Sequence, residues 1–169
     1  VFKGDRLVGW MDEEETRATL WVAGAGRRAT VVIPGPPGSG QDSTVEVLGV
    51  GSKVKAHEEG DRLVLTVSLE CRAALSEEPR GPDVTVGATL EDVGRRLESV
   101  LAADIAAAFR TAQSLRADPF GFGFTLCARQ PELWKRYEGS WPDALASAEI
   151  RVSVKASIVR SGLSLKAPR

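Results

Sequence analysis

The residue types that build metal sites and nucleophilic centres are scarce here: 169 residues carry one histidine, His57, and two cysteines, Cys71 and Cys127. A zinc knuckle needs four closely spaced ligands, and these three residues do not supply them. Cys71 shares strand parity with Leu65, Val67 and Leu69, which marks it as a buried free thiol, with a single disulfide to Cys127 as the alternative. An excess of charge of one sign is also missing. Lys plus Arg number 22 against 23 for Asp plus Glu, and the pI is about 6.0, so there is no basic field for nucleic acid. No apolar run approaches the roughly 18 residues a spanning helix needs. The most apolar helical stretch, residues 97–112, carries Asp104 and Arg110. The chain opens on Val1 with no leader and no lipidation cysteine near its start, which reads as a piece of something longer.

Catalytic constellations are thin as well. His57 sits among Glu58, Glu59 and Asp61, the setting of a solvated turn, and no Ser, Cys or Asp in a strained elbow stands near it. The expectation is no enzyme, no cofactor and no metal. A glycosidase-type carboxylate pair stays open, because 23 acids allow many pairings. Gly35-Pro36-Pro37-Gly38-Ser39-Gly40-Gln41-Asp42 has the glycine spacing of a phosphate-binding loop but fails on chemistry. Gln41 stands where Lys must reach the phosphates, and Asp42 stands where a hydroxyl must hold magnesium. A strand follows, not the helix whose N-terminus would bind the anion.

What is present has clear periodicity. Residues 7–10 read as a short strand, after which Asp12 and Glu15 form a capping box for a helix whose first turn is acidic. Strands follow at 29–33, at 44–55 broken by Gly49 and Gly51, and at 62–71, the last two joined by the Glu58-Glu59-Gly60-Asp61 turn. Residues 76–87, with two prolines and two glycines, read as a surface loop. From Thr89, apolar residues at helical spacing (Leu90, Val93, Leu97, Leu101, Ile105, Phe109, Ala112) run to Leu115. Short helices open at Pro131 and at Trp141-Pro142. A closing strand places Ile150, Val152, Val154, Ala156 and Ile158 on one face. The fold class is therefore α+β: a mostly antiparallel sheet of four to five strands with one long helix packed on it and short flanking helices, order βαβββαααβ. Residues 1–169 read as one domain, long enough to bury roughly 70% of the surface its unfolded form exposes.

The densest local signal is Asp118-Pro119-Phe120-Gly121-Phe122-Gly123, followed by Pro131, Trp134 and Trp141. Asp118 can accept bonds from backbone amides two or three residues on, Pro119 fixes φ, and Gly121 and Gly123 permit conformations closed to side chains. Phe120, Phe122 and Phe124 alternate as an extended piece would, all toward one face. The motif reads as structural, with an exposed contact for a partner as the competing role. Trp134 and Trp141 lean to the core, whereas Trp10 and Trp21 stay open between core and interface.

This motif resembles the signature of the C-terminal domain of the Ger(x)C (GerAC-type) spore germination lipoproteins, the C subunit of nutrient germinant receptors. Residues 1–17 are similar to that family's entry into the domain, and residues 152–163 to its last strand. The resemblance implies a non-enzymatic scaffold or interaction subunit needed for spore germination. Its implied partners are membrane-embedded A and B subunits, and its implied location is the inner membrane of the spore, lipid-anchored. A solute-binding domain that captures the germinant directly and a spore-wall hydrolase stand as alternatives. The motif residues it implies are Asp118, Phe120, Gly121, Phe122, Gly123, Pro131, Trp134 and Trp141.

Overall fold

The computed structural model describes residues 1–35, 42–77 and 86–159. The glycine-rich stretch at 36–41 and the proline-bearing loop at 78–85 lie outside the described residues. The chain enters through a small hairpin of β1 (Phe2–Lys3) and β2 (Arg6–Leu7), where one strand over 7–10 was expected. Pairing runs one step past Leu7, with the Val8 N–H on the Val1 carbonyl at 3.0 Å and the Val1 nitrogen on the Gly9 carbonyl at 2.7 Å, but residues 8–10 are not strand.

Helix α1 (Glu13–Val22) starts on the expected capping box: the Asp12 carboxylate accepts the Glu15 N–H at 2.8 Å, and the Glu15 carboxylate accepts the Asp12 N–H at 3.2 Å. Three strands follow, β3 (Ala29–Ile33), β4 (Ser43–Glu59) and β5 (Arg62–Glu77). The glycines do not break β4. Its register against β5 shifts between Val47 and Gly49, so the strand takes up the irregularity as a bulge and continues. His57 accordingly lies on a strand and not in the turn. Helix α2 (Val86–Leu115) is succeeded by α3 (Phe122–Arg129), α4 (Pro131–Tyr137), a 3-10 turn (Glu138–Ser140), α5 (Trp141–Ser147) and β6 (Glu149–Val159).

The main sheet has the order β3-β4-β5-β6, with the first three strands antiparallel and β6 parallel to β5 from Val64↔Glu149 to Ala74↔Val159. A parallel return needs a long crossover, and α2 to α5 supply it. Val93, Leu97, Leu101, Ile105, Ala108, Phe109 and Ala112 form the buried stripe of α2, set against Val31, Val45, Leu65, Val67 and Leu69 of the sheet. Ile150, Val152, Val154, Ala156 and Ile158 are half-buried and join this core, while the alternate residues Arg151, Ser153, Lys155 and Ser157 are exposed. Two polar ties fasten α1 to α2: Arg17 pairs with Asp104 at 3.0 Å, and the Thr111 hydroxyl donates to the Glu15 carboxylate at 2.5 Å.

Both cysteines are free, Cys71 buried and Cys127 exposed. Burial pushes the Cys71 thiol up to about 11. A disulfide reagent at mildly alkaline pH should therefore label Cys127 alone in the native protein, and both thiols after denaturation. Mass spectrometry of the native, labelled protein checks this, and two rapid native labels would contradict the packing around Cys71.

Candidate functional site

Helix α2 ends with Arg116 in the left-handed region (φ 50), and the Ala117 N–H closes back on the Ala112 carbonyl at 3.1 Å. This reversal delivers Asp118 to the start of α3. Its carboxylate accepts the Phe122 N–H at 3.0 Å on one oxygen. The other oxygen takes the Gly123 N–H at 2.7 Å and the Trp141 indole N–H at 3.0 Å. The amides it satisfies are thus four and five residues on, not two or three. They are first-turn donors of a helix that has no other partner for them.

Gly121, at φ 71 and ψ 30, makes the left-handed step into α3. Gly123 serves a different need: a Cβ there would stand 3.0 Å from Cζ3 of Trp134 and from Nε1 of Trp141. The two indoles meet edge to face with ring centroids 5.3 Å apart, and the bare glycine lets the helix sit against them. Trp141 is buried and Trp134 half-buried.

The expected extended run of phenylalanines is not what forms. Helix α3 begins at Phe122, and at about 100° per residue two positions in a helix point nearly opposite ways. Phe120 and Phe122 are buried, stacked at 4.8 Å and flanked by Phe109, whereas Phe124 is 81% exposed. Cys127 and Ala128, three and four residues on, are exposed as well, so α3 carries an apolar stripe on its outer side.

Gln130 was not singled out by the sequence. It ends α3 and caps α4, whose first residue is Pro131, and its side-chain amide is clamped to Ala56 of β4. The Ala56 N–H donates to it at 3.1 Å, and it donates to the Ala56 carbonyl at 2.7 Å. Since β3 pairs with β4 only over Ser43–Val47, Gln130 occupies part of the strand edge that β3 leaves open. The Tyr137 hydroxyl, donating to the Glu58 carboxylate at 2.7 Å, adds a second tie along that flank. The other tryptophans separate cleanly. Trp21 is buried with its indole N–H on the Arg27 carbonyl at 3.0 Å, and Trp10 is 81% exposed.

Carboxylates gather at one place outside the motif, a shallow dip of about 470 Å³ lined by Glu59, Asp61, Arg62, Ser147 and Glu149. Arg151 holds Glu59 with two bonds of 2.5 and 2.6 Å and reaches Glu149 at 2.8 Å, while His57 lies 2.9 Å from Glu59. The Arg151 guanidinium, with His57, lowers the Glu59 carboxyl to about 2. A glycosidase acid needs the opposite shift, so this cluster is built as an ion-pair network. Among the described residues no three potential metal ligands converge, and no helix is long and apolar enough to cross a membrane.

A family model described as "Spore germination B3/GerAC like, C-terminal" matches residues 1–162. Among curated proteins the chain is similar to "Spore germination protein YndF" of Bacillus subtilis (strain 168), at 23% identity over 161 residues, covering 95% of this chain and 40% of that protein. Among solved structures it matches "Crystal Structure of the GerBC protein" with a TM-score of 0.80 and 19% identity, over 92% of this chain and 48% of that one. The second likeness shows the fold. The chain spans less than half the length of either relative.

Proposed function

This chain belongs to the spore germination B3/GerAC-like C-terminal family, and on that footing we propose that it is a non-catalytic interaction module of a nutrient germinant receptor. In this reading it works beside membrane-embedded A and B subunits at the inner membrane of the spore, within a lipid-anchored protein. The observation that carries the reading is the outer side of α3. Asp118, Phe120, Phe122, Gly123 and Trp141 are engaged in internal packing and hydrogen bonds, yet Phe124 from the same turn is left 81% exposed beside Cys127 and Ala128. An aromatic side chain offers about 150–250 Å² of apolar surface. Phenylalanine is also among the residues enriched at protein interfaces relative to the rest of the surface.

Pull-down of this chain with the purified membrane subunits tests the reading. Retention of the native chain, and at least a tenfold weaker retention of Phe124→Ser at an unchanged melting temperature, is the expected result. A native chain that is not retained, or a variant retained as well as its parent, would overturn it. The ion-paired state of the Glu59 cluster weighs against a wall hydrolase, since neither Glu59 nor Glu149 is free of a guanidinium.

A further inference from the structure

We infer that the end of the molecule carrying the β1–β2 hairpin, Trp10 and the outer side of α1 is a docking face for polypeptide that lies ahead of this region in the same chain. Of the seven large apolar side chains exposed among the described residues, four belong to this first stretch of the chain. Phe2 is 67% exposed, Leu7 44%, Trp10 81% and Leu20 46%. Phe2 and Leu7 are direct cross-strand partners, which places both on one face of the hairpin, with Lys3 and Arg6 on the other. An isolated two-stranded hairpin is marginal in water, and β1 and β2 form a sheet of their own, apart from the main one. Immediately after Trp10, Met11 opens a groove of about 660 Å³ along α1, walled by Leu20 and Trp21 and rimmed by Arg27 and Arg28.

The occupant follows from geometry and length. The nitrogen of Val1 is held at 2.7 Å on the Gly9 carbonyl, so polypeptide entering at Val1 arrives beside Gly9 and Trp10, at the apolar face itself. The matched region is described as C-terminal, and this chain covers 40% and 48% of its two relatives, so most of their length lies outside it. Interfaces between domains of one chain bury about 600–1,500 Å². Two aromatic side chains at about 150–250 Å² each, with the groove behind them, come near the lower end of that range. The face is distinct from the Phe124 stripe and is independent of the receptor reading.

Hydroxyl-radical footprinting of this 169-residue chain and of the whole product of its gene, at matched dilute concentration, tests the inference. Phe2, Leu7, Trp10 and Leu20 should be at least threefold less reactive in the whole product, while Phe124 is unchanged. Phe2→Ser with Trp10→Ser in the whole product should restore their neighbours' reactivity and raise the radius of gyration in scattering, with the melting temperature of this chain unaltered by the same pair. Equal reactivity in both proteins overturns the inference. So does protection that appears only as concentration rises, which would mark a contact between copies, and so does a gene product with nothing ahead of Val1.

Discussion

Deleting residues 149–169, and β6 with them, should abolish cooperative unfolding altogether. Ile150, Val152, Val154 and Ile158 are each half-buried against the core. At about 1.5–3 kcal/mol for full burial of such a side chain, the half-burial of four of them sums to roughly 3–6 kcal/mol. The larger loss lies beneath. Leu65, Val67 and Leu69 are fully buried on β5, in one core with the buried stripe of α2. Without β6 one flank of β5 becomes an open edge and α2 loses the strand it lies against. Domains of this size hold about 5–15 kcal/mol in total, which the combined loss reaches. Far-UV circular dichroism of the deleted chain should show a broad, shallow melt. A sharp transition within a few degrees of the parent would mean that the sheet closes its core without its parallel strand.

Most of what made the fold legible in the sequence is local periodicity. The spacing of Val93, Leu97, Leu101, Ile105 and Phe109 marked the helix and the face it buries. The alternation of Leu63, Leu65, Val67 and Leu69 marked β5 in the same way. Alternation is blind to direction, however: period 2 is the same for parallel and antiparallel strands, so the pairing of β6 with β5 was hidden until the crossover was seen. Period also misled at Phe120, Phe122 and Phe124. Spacing by two suggested an extended run, but the Asp118 carboxylate and the left-handed Gly121 start a helix there and turn Phe124 outward. Gln130 shows a further limit: a side chain that completes the edge of a strand far away in sequence has no local signature, and the helix it ends was itself read as an extended run.

Asp118→Ala should destabilise the chain by roughly 3–4 kcal/mol, more than any single cap. A lone N-cap satisfies one amide and costs about 0.5–2 kcal/mol when removed. Asp118 serves three donors: two on the buried residues Phe122 and Gly123, and the indole of buried Trp141. Hydrogen bonds to a charged group contribute about 1.5–3 kcal/mol each, and water admitted by the shorter side chain recovers part of that. Asp118→Asn keeps one good acceptor and should fall about midway. Gly121→Val puts a branched side chain at φ 71 for roughly 1–3 kcal/mol, although nothing stands within 4 Å of its Cβ. Gly123→Val drives its methyls into Trp134 and Trp141 and should cost as much through overpacking. Chemical denaturation of the four variants gives the order directly. All four should bind a partner normally when assayed well below their melting temperatures, because the groups they disturb face inward while Phe124 is the one that faces out. If Asp118→Ala left stability untouched and removed binding, Asp118 would itself be the contact, and the bonds it makes to α3 and Trp141 would be incidental to its place in the motif.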